Sequence, residues 1–396
     1  MKELQIKKWD WLLILGAVLA PMTGFRIWKI GPAELLCFFW SLKYINLKKI
    51  KLNFLSKFFL IFFFSMIIGT LICLVINPKE CVVDQLLTWI FLIIISCTLY
   101  EQLLKNNIDY NVKLFDSICK ISTIWYSFLY VYSLTISKSL FGVPIWYCNI
   151  RFAGCGTNPH QVAVLTCGIA CWYLYRFFET REIINVPLFI FTVFLLSETK
   201  SSTGKAAIVL ACLVYFTITF LLIVPTKRKK IAITSVFVMV FALSIVFFWD
   251  KLYEMSYEWV SEDANGLGRF NIWSSFANCI IKSPIFGLGP GIHAKSGTIE
   301  FHNSYLEIFA ATGIVGFGAF IVFTIMTAKK IVNGNVKLLP VMIALYGYSM
   351  AGFACRRLVY WVVLIFIIVI CEKTDITTEN KKSDLLQSII NDNIKT

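Results

Sequence analysis

Apolar runs close to the ~20 residues that a helix needs to cross a bilayer recur from one end of this chain to the other. Residues 54–76, FLSKFFLIFFFSMIIGTLICLVI, and 204–224, GKAAIVLACLVYFTITFLLIV, are the plainest of them. Hydrophobic residues make up 58% of the sequence and charged ones 15%, more apolar surface than a soluble domain of this length can hide. The chain therefore reads as all-α, a polytopic integral membrane protein. About twelve transmembrane helices are expected, near 9–25, 30–42, 54–76, 83–104, 116–136, 161–177, 183–199, 204–224, 231–249, 305–327, 337–354 and 357–371. They form one domain, residues 1–371, followed by a polar cytoplasmic tail over 372–396. The opening MKELQIKKWDWLLILGAVLAP lacks a small-x-small cleavage site and reads as a retained first helix.

The formal charge of +14 does not imply a nucleic-acid partner. Lys and Arg gather in short loops between the apolar runs, where they set orientation. With the N-terminus inside, the cytoplasmic loops hold Lys43, Lys48, Lys49 and Lys51, then Lys105 and Lys113, Arg176 and Arg181, Lys227 to Lys230, and Lys329, Lys330 and Lys337. An even number of spans returns the C-terminus to the cytosol. The basic residues left on the outer face include Arg151, Lys200, Arg269, Arg356 and Arg357. The chain's three histidines, His160, His293 and His302, fall on that face too. Topology alone does not require this, so it points to an outward active surface.

The longest loop, 250–302, is expected to lie on the outer face and to carry chemistry. Within it, residues 268–281 repeat apolar side chains at a helical period, as a helix lying on a membrane does. Arg269 opens this segment. Free backbone amides, the helix dipole and a guanidinium favour phosphate there; the other reading is a side chain reaching for lipid headgroups. A Pro/Gly-rich turn follows, SPIFGLGPG, and then His302-Asn303 at the mouth of the next span. Ser304 and Glu307 have the spacing of a helix-starting capping box, which leaves His302 and Asn303 at the helix mouth. A neutral imidazole there can take a proton near neutral pH; the alternative is an interfacial histidine bonded to backbone.

Three further clusters stand beside spans on the outer face. The first is Arg151-Phe-Ala-Gly-Cys-Gly-Thr-Asn158-Pro-His160, in which Arg151 suits a phosphate or sugar. Asn158 and His160 either contact substrate or cap the span. The second is the hydroxyl-rich turn Ser197-Glu-Thr-Lys200-Ser-Ser-Thr-Gly-Lys205. Its Ser-Thr-Gly-Lys is no P-loop: no strand precedes it and the glycine spacing is wrong. The third is the pair Arg356-Arg357 in a short turn between the last two spans, where a buried charge needs a partner, either an acid or a substrate phosphate. The thirteen cysteines contain no C-x-x-C pair, and no Asp-x-Asp motif or ligand-spaced cluster calls for a metal or cofactor. Cys148 and Cys155 flank Arg151 and are the one pair placed to form a disulfide, should their loop face an oxidising compartment.

Gly268-Arg269-x-x-x-Trp273, then Pro284-Ile-Phe-Gly-x-Gly289, then His302-Asn303-x-x-Leu306 with Gly313 beyond resembles the O-antigen ligase and polymerase family of bacterial envelope enzymes. The likeness extends over roughly 145–370. Arg151-x-x-Gly with Asn158-Pro159 looks like a segment that many family members carry, though His160 stands where asparagine is commoner. The Lys200 turn resembles the family's Ser-x-Ser-Arg segment, with lysine in the arginine's place. The resemblance implies a helical bundle like other lipid-linked-sugar glycosyltransferases, in the bacterial inner membrane with its active site towards the periplasm. It implies inverting, metal-independent transfer of a glycan from undecaprenyl pyrophosphate. A polymerase passes that glycan to a lipid-linked repeat unit; a ligase passes it to lipid A–core. His302 would be the base and Arg269 the main cation, with Arg151, Lys200, Asn158, His160, Asn303, Arg356 and Arg357 around the substrate. Membrane lipid, the lipid-linked oligosaccharides and a chain-length regulator protein are the expected partners. A flippase of lipid-linked oligosaccharides is the rival of another class. Against it, the ionisable residues sit at span ends rather than at the bilayer midplane where transporters place them.

Overall fold

The computed structural model describes residues 5–27, 30–45, 52–226, 228–229, 231, 235, 239, 253–254, 273, 276–291, 301–350, 352 and 354–395, with the backbone alone at 80, 278 and 377–395. The apolar runs become α-helices: α1 (Asp10–Leu19), α2 (Pro32–Tyr44), α3 (Phe54–Ile76), α4 (Asp84–Lys105), α5 (Ile108–Thr135), α6 (His160–Thr180), α7 (Asn185–Glu198), α8 (Ser202–Ile223), α9 (Phe276–Lys282), α10 (Ser304–Asn335), α11 (Leu339–Ser349) and α12 (Leu358–Lys395). Local chemistry fixes several starts. Asn53 accepts the Ser56 N–H at 2.8 Å, Asn107 that of Tyr110 at 2.7 Å, and Ser201 that of Gly204 at 3.1 Å, satisfying amides that have no partner within their own helix.

The expected twelve spans are met only in part. Among the described residues, five helical stretches are long and apolar enough to cross a membrane: Phe54–Ile76, Asp84–Lys105, His160–Thr180, Ser202–Ile223 and Ser304–Ser349. The last joins α10 and α11 through a 3₁₀ turn at Val336–Leu338. Asp10–Leu19 and Asn185–Glu198 are apolar but shorter. Lys113, Asp116 and Lys120 interrupt the first half of α5. The span expected near 231–249 and most of the 250–302 loop lie outside the described residues.

The last helix occupies the middle. Residues 358–371 are buried on every side, as a helix apolar all round should be. They pack against α1, α4, α5, α6, α10 and α11. A stretch too short to cross the bilayer comfortably is thus shielded from lipid by its neighbours.

The two ends of the bundle differ. At one end the polar groups answer one another: Arg176 pairs with Asp116 at 3.0 Å, Lys330 with Glu372 at 3.0 Å, and Lys337 with Glu179 at 2.6 Å. These cations belong to loops that the charge pattern assigns to the cytosol. The opposite end carries the 136–159 connection, folded as two small antiparallel ladders, β1 (Ser139–Leu140) with β2 (Val143–Pro144) and β3 (Trp146–Tyr147) with β4 (Arg151–Phe152). It also carries the α7–α8 turn, the start of α10 and the α11–α12 turn.

Helix α10 is broken at Gly313 (φ 60°, ψ −162°), and the SPIFGLGPG segment fills the break. Leu288 N–H donates to Ala310 O at 2.8 Å and Gly289 N–H to Ala311 O at 3.0 Å. In return, Ile314 N–H donates to Pro284 O at 2.9 Å and Val315 N–H to Ile285 O at 3.2 Å. Four of the backbone groups around the break are thus satisfied by the strap, which is what apolar surroundings demand. A Cβ on Gly313 would lie 2.3 Å from the Ile285 carbonyl. The glycines of this motif therefore make a main-chain joint.

Candidate active site

His302 sits two residues before the start of α10, held from both sides. Phe301, fully buried, donates its N–H to Glu307 Oε1 at 2.7 Å and accepts the Trp273 indole N–H on its carbonyl at 2.8 Å. On the far side, the Asn303 side chain accepts the Tyr305 and Leu306 amides at 2.9 and 3.2 Å and caps the helix. His302 between them takes a left-handed conformation, φ 52°, uncommon for a residue with a side chain and kept only where the surroundings enforce it. The expected capping box is corrected by one residue. Asn303 is the cap, while the Ser304 hydroxyl donates to Gly352 O at 2.6 Å and accepts the Ala354 N–H at 3.0 Å. Glu307 does reach back, but to Phe301. It holds the His302 loop, consistent with a structural rather than an acid role.

The Ser304 bond draws the α11–α12 turn against the start of α10, and a pocket opens between them and α6. Asn158, His160, Val164, His302, Tyr348, Ala354 and Arg357 line it. The His160 and His302 rings face each other with centroids 6.2 Å apart. Asn158 Oδ1 accepts the His160 N–H, the first amide of α6, at 3.1 Å and so fixes the backbone of the first imidazole. His160 Nδ1 lies 2.6 Å from the Tyr348 hydroxyl. With its amide turned to oppose donors with an acceptor, the buried Gln161 takes Arg357 Nη1 at 2.7 Å and Nε at 3.1 Å on its oxygen. Among the described residues that line it, two imidazoles, a phenol and a guanidinium meet with no carboxylate, an arrangement that favours an anionic or oxygen-rich ligand.

The remaining expected residues fall at graded distances from this pocket. Arg151, on β4, donates from Nε to Thr199 O at 2.9 Å, tying the first cluster to the hydroxyl-rich turn. Lys200, next to Thr199, is exposed in a left-handed turn, φ 51°. Arg356 points elsewhere, towards Gln85 Oε1 at 3.5 Å, and does not line the pocket. Arg269 and His293 lie outside the described residues. Sequence reasoning missed Tyr348 and Gln161. Tyr348 is one of two tyrosines at the end of the apolar run VMIALYGYS, and only its tertiary neighbours mark it.

Cys148 is exposed and Cys155 fully buried, both as free thiols. Burial pushes the Cys155 thiol up to about 11. It therefore stays protonated and inert below that pH, because the thiolate is the nucleophile. A membrane-impermeant maleimide added from the periplasmic side is expected to modify Cys148 and spare Cys155, with Cys148→Ser abolishing that labelling. Labelling of Cys148 only after the inner membrane is opened would reverse the orientation inferred from charge.

Fold and pocket together define a multi-pass helical membrane protein with a polar pocket, lined by two histidines and Arg357, at one end of its bundle. Residues 187–321 match the family described as O-antigen ligase, which supports assigning the chain to the O-antigen ligase and polymerase family. That match implies glycosyltransferase-like action on lipid-linked glycans in lipopolysaccharide or polysaccharide biosynthesis. No curated protein matches the chain.

Proposed function

We propose that this protein is a glycan polymerase of the bacterial inner membrane. It transfers a growing chain from undecaprenyl pyrophosphate to a lipid-linked repeat unit at the periplasmic face. The observation that carries the reading is the convergence of segments far apart in sequence, 151–160, 197–201, 302–303 and 348–357, on one end of the bundle. An acceptor hydroxyl attacks the anomeric carbon of the donor sugar, and the bond from that carbon to the pyrophosphate oxygen breaks. His302 takes the hydroxyl proton. Cations stabilise the charge that develops on the departing pyrophosphate, with Arg357 and Arg151 nearest the pocket and Lys200 at its approach. Attack opposite the leaving group inverts the anomeric centre. The leaving group is already good, so a metal is not required.

Arg269 belongs to this cation set. It stands four residues before Trp273, whose indole is bonded to the residue preceding His302. Arg269→Ala is expected to abolish long glycan chains while the protein still inserts. Arg269→Lys recovers only part, because a lysine cannot fork onto two oxygens. Normal polymer from Arg269→Ala would reduce this residue to a lipid anchor.

A second reading, ligation to lipid A–core, is favoured by the description of the matching family. One experiment separates these and the transporter rival. Purified protein, in EDTA and without an ion gradient, is given the lipid-linked donor with either a lipid-linked repeat unit or lipid A–core as acceptor. Longer lipid-linked glycan is expected. Product only on lipid A–core selects the ligase, and transbilayer movement without a new glycosidic bond selects the flippase. Activity that returns only on adding Mg²⁺ or Mn²⁺ defeats the metal-independent mechanism.

A further inference from the structure

The turn that follows α1 reaches the pocket from far outside the segment that matches the family. Thr23–Phe25 form a single 3₁₀ turn, and it grips the 153–157 loop that leads into α6. Thr23 is 4% exposed, and a buried hydroxyl needs a partner. Its oxygen accepts the Thr157 N–H at 3.0 Å and shares a hydrogen bond with the Thr157 hydroxyl, also at 3.0 Å. One residue on, Gly24 donates its N–H to Cys155 O at 2.9 Å. The two segments meet at main-chain range: a Cβ on Gly24 would lie 2.7 Å from Cys155 O, and one on Gly156 would lie 2.8 Å from Pro21 O. The gripped loop is tightly wound. Gly154 and Cys155 are both left-handed, φ 55° and 65°, and a residue with a side chain keeps that conformation only where its surroundings enforce it. Directly after the grip come Asn158, whose Oδ1 holds the His160 amide, and His160 itself; both line the pocket.

We infer that Thr23 is a positioning residue for the candidate active site: through the amide and hydroxyl of Thr157 it holds the Asn158–His160 wall of the pocket in place. The matching segment spans 187–321, so part of the site's framework comes from a turn that the match does not reach. That the wall contacts a lipid-linked glycan rests on the transfer reading above; the clamp does not.

Two variants separate hydrogen bonding from packing. Thr23→Val keeps the side chain's shape and removes both of its bonds to Thr157, while Thr23→Ser keeps the hydroxyl and removes the methyl. The first readout is the thiol of Cys155, fully buried in the gripped loop. Purified full-length protein is treated with a maleimide, and attachment at Cys155 is followed by peptide mass spectrometry. Thr23→Val is expected to react there roughly tenfold faster than wild type, the size of the local opening that lost hydrogen bonds allow. Reaction at Cys148 should be unchanged, and Thr23→Ser should behave as wild type. The second readout is transfer. Thr23→Val should raise KM for the lipid-linked substrate about tenfold with kcat little altered, the signature of weakened binding, and Thr23→Ser should restore it. Cys155 reactivity equal in Thr23→Val and wild type, or greater in Thr23→Ser than in Thr23→Val, overturns the clamp. A loosened Cys155 with KM and kcat intact overturns the positioning role. Should Thr23→Val fail to insert, Thr157→Val, which cuts the bond between the hydroxyls, is read in the same two assays and judged by the same outcomes. A wild type that transfers nothing defeats the proposed function, while the Cys155 measurement still decides the clamp.

Discussion

His302→Ala is expected to cut glycan transfer by ~10²-fold or more, the size of a lost general base, while expression and donor binding stay near normal. The separation is possible because the loop's geometry does not depend on the imidazole. Phe301 is held by Glu307 and Trp273, and Asn303 closes the helix, whatever side chain lies between them. His302→Gln retains a hydrogen-bonding group without useful basicity and should be nearly as slow. The measurement is product formation by purified protein from lipid-linked donor and acceptor. Near-normal turnover in His302→Gln would leave the ring a positioning role and the base unidentified.

The largest effect on stability is expected at Gly313. An alanine there must keep φ near 60°, which costs an L-residue roughly 1–2 kcal/mol. Its Cβ also meets the Ile285 main chain at 2.3 Å, with Phe286 N at 2.5 Å. Main chain locked by four hydrogen bonds cannot step aside as a side chain would, so the total loss should reach about 3 kcal/mol or more, unusual for one methyl group. Gly318 is the control. It lies in the same helix, nothing approaches its Cβ position within 4 Å, and alanine there should be neutral or stabilising by roughly 0.5–1 kcal/mol. Thermal unfolding in mild detergent compares the pair, and equal midpoints would mean that the strap does not hold the break.

What the sequence disclosed follows the range of the forces involved. Residues 54–76 and 83–104 announce α3 and α4 because length and polarity are local properties. The polar clusters were visible as departures from an apolar background, and the charge asymmetry grouped them on one face before any contact was known. The cap of α10 went one residue astray because Asn303 and Ser304 both suit the position; a bond from Ser304 to Gly352, 48 residues away, decides between them. Tyr348 carries no local signal, since a tyrosine among apolar residues looks like packing until His160 arrives beside its hydroxyl. Nor does the Gly-rich strap disclose its role in isolation: SPIFGLGPG reads as a turn, and only the missing hydrogen bonds of α10 explain its glycines.

The central place of α12 bears on how the molecule is made. Every helix that surrounds residues 358–371 precedes them in the chain, so during synthesis, which runs at about 5–20 residues per second, the earlier helices enter the membrane before the one that fills their middle exists. Until then lipid or the insertion machinery must occupy that space, and Arg357 is not yet at the rim. The pocket is therefore assembled last. A ribosome stalled before Leu358 would leave a nascent bundle whose pocket lacks the turn that closes it, since Ser304 bonds to Gly352 and Ala354.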